Sequence, residues 1–426
     1  MSRDETMVNA FVPGLGNLPP ETEALVARRQ RLLGPAYRLF YETPVHFVRA
    51  QGAWLYDAQG AAYLDCYNNV ASLGHAHPRV LEATARQAAI YASHTRYLND
   101  TVLDCAEKLL SHFPPELSQV MFTCTGSEAN DLALRICFAA TGGTGLVVTE
   151  NAYHGVTHLM AGASPSLGPG VNLGPHVRTV PAPRDAASFA ADVAAAFADL
   201  SRHGVKPAAL LVDTIFSSDG VIPGAFLGPA VQATHEAGAL MIADEVQPGF
   251  GRTGAHWWGF QTHGITPDLV TMGKPMGNGY PVAALVAKPE VLLPFGTKAR
   301  YFNTFGGNAV ACATAMAVME VIETDDLLAN ASRIGALMAE GLRSLTHEAL
   351  GETRQAGLFL GLDILEDGHP SAARAARLVN LLREARVLIS ATGPKGHVLK
   401  IRPPLILTEA QADLFLTATK AALRLL

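Results

Sequence analysis

The stretch 208–244, AALLVDTIFSSDGVIPGAFLGPAVQATHEAGALMIAD, decides the fold. Two short apolar runs, AALLVD (208–213) and ALMIA (239–243), flank a helical stretch at 228–237. Runs of this length and composition are expected of strands buried on both faces. Working outward, similar runs recur: QVMFTC (119–124), GLVVT (145–149) and VRTV (177–180) before it, DLVTM (268–272) and VAALVA (282–287) after it. Helical stretches such as 127–140 lie between several of them. The alternation predicts an α/β domain built on a mostly parallel, seven-stranded sheet.

Either side of this region the pattern changes. The first forty or so residues read as an arm, with GLGNLPP (14–20) a loop and ETEALVARRQRLL (21–33) helical. Residues 46–65 alternate and read as two or three short strands turning at Gly52 and at Asp57–Gly60. Residues 308–345 look helical, and 353–426 mix strands with helices. The C-terminal part is expected to pair with the N-terminal strands as a smaller α+β domain. The expected division is an arm and part of the small domain at 1–66, a large domain at 67–310, and the C-terminal small domain at 311–426.

The 426 residues are 49% hydrophobic and 16% charged, with a formal net charge of -6. That is ample for a core, and no basic patch favours nucleic acid or an anionic membrane. No stretch of eighteen apolar residues exists to span a bilayer. Cys66, Cys105, Cys124, Cys137 and Cys312 are dispersed, without a C-x-x-C pair. They read as reduced core thiols rather than a disulfide frame or zinc site. The opening MSRDETMVNAF lacks the basic start and apolar run of a secretory signal, and Asp4 and Glu5 weaken a transit-peptide reading. A cytoplasmic enzyme is expected.

Several residues stand where chemistry is easily done. Lys274 follows the run 268–272 in the glycine-rich VTMGKPMGNGYP, where small neighbours admit a bulky ligand. With its pKa lowered by burial, it can form an imine with an aldehyde; a surface-turn lysine is the plain alternative. Asp244 ends ALMIAD, and ligands of open α/β sheets sit beyond the carboxyl ends of strands. A carboxylate there can pair with a protonated pyridine nitrogen, or simply cap a turn. Val246 could pack on the same ring and Gln247 bond its phenolic oxygen. Gly126 and Ser127 open a helix after a strand, a natural anion site, although Thr125 or Ser127 would serve equally as an ordinary cap. Tyr153 in NAYHG could stack on the ring's free face, and Thr304 in FNTFGGN could hold a phosphate. His75 and His77 form an H-x-H, but no acidic or cysteine partner stands at ligand spacing, so no metal is expected.

Taken in order, NNVASLGHAHP, TGSEANDLALR, NAYHG, ADEVQPGFGRTG, TMGKPMGNGYP and NTFGGN resemble the class III aminotransferases of pyridoxal 5'-phosphate (PLP) fold type I. The resemblance runs from about Tyr56 to the C-terminus. It implies PLP held as a Schiff base on Lys274, Asp244 as the pyridinium partner, and Gly126 and Ser127 on the phosphate. It further implies Tyr153 over the ring, Thr304 reaching a neighbouring subunit's phosphate, and hence a homodimer with shared active sites. The segment around Asn68 and Asn69 lines the site, making Asn69 a candidate substrate contact.

Two positions depart from the transaminase pattern of that class. Where many members carry a G-E-G-G stretch with a mobile glutamate, this chain has Phe216-Ser217-Ser218-Asp219-Gly220. Where they keep a carboxylate-binding arginine, it has Lys400 in VLKIRPPL, with Arg402 two residues on. Lysine lacks the two-pronged grip of arginine but serves a phosphate as a point charge. If 398–402 is one strand, both side chains share a face. The pattern is similar to the subgroup of ethanolamine-phosphate phospho-lyases and alanine–glyoxylate aminotransferase 2-like proteins. It implies a small primary amine as substrate and elimination of phosphate from an amino-alcohol phosphate. The alternative is an ω-amino acid or amine transaminase using pyruvate or a similar acceptor.

Overall fold

A computed structural model describes residues 7–14 and 17–426. The opening MSRDET, with Asp4 and Glu5, and two residues of the GLGNLPP loop lie outside the described residues.

The seven expected strands form one sheet. Their spatial order is Gln119–Thr123, Ala283–Ala287, Leu269–Met272, Leu240–Asp244, Pro207–Asp213, Gly145–Thr149, Val177–Val180. Ala283–Ala287 runs antiparallel to both its neighbours, and the remaining pairs are parallel. Side chains alternate strictly between two apolar layers. Val147, Leu210, Val212, Met241, Ala243, Val270 and Met272 enter one, while Leu146, Val148, Ala209, Leu211, Ile242 and Leu269 enter the other. Both faces are therefore dry, which is why these strands read as unbroken apolar runs instead of alternating ones. Helix Gly126–Thr141 covers one face through Leu132, Ala133, Ile136 and Cys137. Helices Ala186–Arg202, Leu227–Glu236 and Ala309–Thr324 cover the other.

Residues 46–65 form three antiparallel strands, Phe47–Gln51, Trp54–Asp57 and Ala62–Asp65. Val387–Leu388 joins them in parallel beside Ala62–Asp65, so the C-terminal part does pair with the N-terminal strands. A separate antiparallel sheet holds Leu350–Ala356, Phe359–Glu366, Val398–Ile401 and Ser390–Thr392, with His369–Pro370 pairing at its side. The helix Pro20–Leu33 has no buried residue. Among the described residues, no helix is long and apolar enough to cross a membrane, no cluster could hold a metal, and all five cysteines are free.

The chain departs from expectation at Arg402. Its strand stops at Ile401, because Pro403 and Pro404 have no N–H to continue a ladder. The Arg402 N–H instead reaches Cys66 O at 2.8 Å. Nor are Lys400 and Arg402 solvated strand residues, since each is 7% exposed.

Candidate active site

The parallel strands end together. Asp213 and Asp244 are register partners at the carboxyl ends of neighbouring strands, and Lys274 follows the next strand. With the N-terminus of helix Gly126–Thr141, these ends enclose a cavity of about 320 Å³. Its walls carry Cys124–Ser127, Tyr153–Gly155, Asp213, Asp244, Val246, Gln247 and Lys274. A cavity this size suits a small organic cofactor with a short substrate.

Asp244 is buried and held rigidly. Its Oδ2 accepts from Asn130 Nδ2 at 2.9 Å and lies 2.7 Å from His154 Nδ1. Its Oδ1 accepts the Val246 N–H at 3.0 Å. A carboxylate oxygen takes two donors, so Oδ1 retains capacity for one more, such as a ring N–H. The Thr271 hydroxyl in turn donates to Asn130 Oδ1, which fixes the amide's orientation toward Asp244.

Lys274 opens a single helical turn, Lys274–Gly277, inside a buried surround. Desolvation is the main cause that lowers its amine to about 8; the Arg402 charge lowers it further, against Asp244 and Asp213. A larger fraction is therefore the neutral, nucleophilic form near neutral pH than for a free lysine. Burial also raises the carboxyl of Asp213, with Asp244 adding to the effect.

The anion site is resolved in favour of Thr125 as the cap. Thr125 Oγ1 accepts the Glu128 N–H at 3.2 Å, and Glu128 returns the bond to the Thr125 N–H at 3.0 Å. That reciprocal box leaves the Gly126 and Ser127 N–H groups unspent and the Ser127 hydroxyl free for other work. At present Ser127 Oγ accepts from the Val156 N–H at 3.2 Å. Glycine is required at 126, where a Cβ would stand 2.7 Å from a Val246 methyl. It is required at 155 as well, where φ is +142° and a Cβ would meet Ser127.

Tyr153 stands on the cavity wall, 37% exposed, as an aromatic cover should. Gln247 lines the wall too, while its amide nitrogen donates to Ser217 Oγ at 2.6 Å and its carbonyl oxygen accepts from Arg402 Nη1. Asn69 is buried behind the wall, donating to Gln247 O at 3.1 Å. Thr304 is exposed and not on the cavity wall of its own chain. Lys400 and Arg402 lie just outside the lining. The Lys400 ammonium sits 5.7 Å from the Phe359 ring centre and the Arg402 guanidinium 4.4 Å from that of Tyr67. Burial first, and Arg402 second, push Lys400 well below the ordinary lysine range. His75 bonds Asp65 at 2.8 Å and is a structural contact.

Sequence reasoning missed Asp213, His154 and Asn130. Asp213 ends AALLVD just as Asp244 ends ALMIAD, so the same strand-end logic would have found it. Asn130 is one turn beyond Gly126, and His154 is next to Tyr153. No sequence signal says that either side chain turns to Asp244.

Compared with known proteins, residues 40–423 match the family model described as aminotransferase class-III. A Drosophila melanogaster protein named alanine–glyoxylate aminotransferase 2-like is 38% identical over 95% of this chain and 87% of its own length. A Caenorhabditis elegans protein named ethanolamine-phosphate phospho-lyase homolog 1 is 35% identical over 91% and 90%. Among solved structures, a phospholyase from Arthrobacter in complex with phosphoethanolamine superposes with a TM-score of 0.91. It is 41% identical, covering 94% of this chain and 100% of that one.

Proposed function

The chain belongs to the class-III aminotransferase family, and within it we propose a phospho-lyase that removes phosphate from O-phosphoethanolamine or a similar amino-alcohol phosphate. It is an enzyme acting on a small primary amine, and its cofactor is pyridoxal 5'-phosphate. The cavity fits that group: an amine at one side, a carboxylate with one open acceptor position at the other, and two unspent N–H groups for a phosphate. When bound, the cofactor supplies an aldehyde for amines and a sink for the electrons of a broken C–H bond.

In this reading Lys274 would hold the cofactor, and its amine would be the base that takes the proton from the substrate carbon bearing nitrogen. Asp244 would keep the ring nitrogen protonated, and Asn130 and His154 fix the direction of its carboxylate. Gly126 and Ser127 would hold the cofactor phosphate, Tyr153 and Val246 would cover the ring, and Gln247 would meet its phenolic oxygen. Lys400 and Arg402, with Asn69 nearby, attract the substrate phosphate as the C–O bond breaks. Overall, O-phosphoethanolamine and water give acetaldehyde, ammonia and phosphate. The exposed Thr304 would complete the site of a second copy, making the enzyme a homodimer. We further propose a cytoplasmic location, in keeping with the five free cysteines. The proposed domain division falls near residues 66 and 310.

The observation that carries the reading is the pair of buried basic side chains, Lys400 and Arg402, beside a loop without a gating glutamate. Among the described residues, no carboxylate lies within ion-pair distance of either. Asp213 and Asp219 act on Lys400 from beyond contact, and buried basic groups without a contacting counter-ion are costly, which favours an anionic ligand as the missing partner. The likeness to a protein named alanine–glyoxylate aminotransferase 2-like favours a second reading, amine transfer to a keto acid. A two-substrate assay separates them: phosphate released from O-phosphoethanolamine against amine transferred to pyruvate. Faster phosphate release supports the lyase, and transfer without phosphate release supports the transaminase.

A further inference from the structure

From the hydrogen bonds behind the cavity wall we infer that Ser217 is a positioning residue for substrate charge: it turns the Gln247 amide so that its neutral carbonyl oxygen, not its NH2 group, faces Arg402. This rests on the phospho-lyase reading and names the element that makes the same site select a doubly charged group. Ser217 is fully buried, in the loop that follows the strand Pro207–Asp213. Both its N–H, at 3.1 Å, and its hydroxyl donate to Asp213 Oδ2. A hydroxyl has one proton, so toward Gln247 the Ser217 oxygen can only accept. Gln247 Nε2 donates to it at 2.6 Å, and the amide's other end, Oε1, must then face Arg402 Nη1.

The consequence is electrostatic. Arg402 has a firm partner that carries no charge, and among the described residues its Nε has no partner. Its positive charge therefore stays whole, one residue behind the cavity, beside Lys400. A glutamate at 247 would neutralise it, and would also set a carboxylate oxygen against the Ser217 oxygen, which has no proton left to give. The relay Asp213–Ser217–Gln247–Arg402 thus excludes a neutralised site, and a dianionic phosphate gains most from the charge so preserved.

The test uses PLP-loaded enzyme and inorganic phosphate as probe, with affinity read by titration calorimetry. Ser217→Ala should weaken phosphate binding about 10-fold, and should raise KM for O-phosphoethanolamine similarly with kcat little changed. Ser217→Thr, which keeps the hydroxyl, should stay within about twofold of the parent, and ethanolamine binding should be alike in all three. Thermal melting checks that each variant is folded. Gln247→Glu should lose phosphate affinity at least as severely. Parent-like phosphate affinity in Ser217→Ala, or an equal loss for ethanolamine, would overturn the relay while parent phosphate release stands. A parent that neither binds nor releases phosphate would instead overturn the phospho-lyase reading on which the relay rests.

Discussion

The two charged ends of the cavity are built on opposite terms. At the Asp244 end, the carboxylate is met by Asn130, His154 and the Val246 N–H, and Asn130 is itself held by Thr271. At the other end, Lys400 and Arg402 are also buried, but they face aromatic rings and one neutral amide, and among the described residues neither makes an ion pair. Nearby Arg252 donates to the carbonyls of Leu358 and Pro403, and among the described residues its Nε and Nη2 have no partner. Burial and the neighbouring Arg402 lower Arg252 to about 9. The satisfied end is rigid without help and suits a resident cofactor. On the proposed reading, the unsatisfied end takes an anion that comes and goes with each turnover.

This contrast can be broken from either side. The largest effect should come from the residue between the two ends: Lys274→Ala should lose on the order of 10³-fold or more of turnover. Borohydride treatment of the parent should add the mass of the reduced cofactor at Lys274, and the variant should show no such adduct. At the satisfied end, Asp244→Asn should keep the fold and lose about 10²-fold or more in rate, because an amide cannot hold the ring nitrogen protonated. Steady-state kinetics together with a melting curve checks both parts. An unchanged rate would reduce Asp244 to a strand-end cap.

At the unsatisfied end the effect should be smaller and selective. Lys400→Met should cut kcat/KM for the phosphorylated amine roughly 10- to 100-fold, the value of one charge-assisted contact of about 1.5–3 kcal/mol. It should matter much less for an uncharged ω-amine with pyruvate. Equal losses on both would mean that Lys400 supports packing against Phe359 rather than charge recognition. The smallest effect concerns pH. With the Lys274 amine lowered to about 8, its neutral fraction grows as pH rises through that value. Capture of free PLP by cofactor-stripped enzyme should therefore speed up from pH 7 to about 9 and then level, rather than climb toward the ordinary lysine pKa of about 10.4. Stopped-flow absorbance in the visible range follows it.

How much of this was legible in the sequence depends on the range of the interaction. The strands were read to within one or two residues because both-face burial imposes unbroken apolar runs, as in Gly145–Thr149 and Ala283–Ala287. Asp244 and Lys274 were legible because strand ends and glycine-rich turns are local features. The support of Asp244 was not. Asn130 comes from the helix after the first strand and His154 from the loop after the second, and only the folded sheet order brings them together. The burial of Lys400 and Arg402 was hidden for a similar reason. Alternating charges near a chain's end resemble a solvated strand, but Val398–Ile401 is an inner strand of its sheet, between Phe359–Glu366 and Ser390–Thr392. Arg402 also leaves the strand, because two prolines follow it.

The central claim is that the enzyme eliminates phosphate, and product stoichiometry without any keto acid tests it most directly. PLP-loaded enzyme is incubated with excess O-phosphoethanolamine alone, and phosphate, acetaldehyde and ammonia are counted per active site. The account predicts many equivalents of all three, in equal amounts and unaffected by added pyruvate. No phosphate, with amino transfer that begins only when pyruvate is supplied, would contradict it.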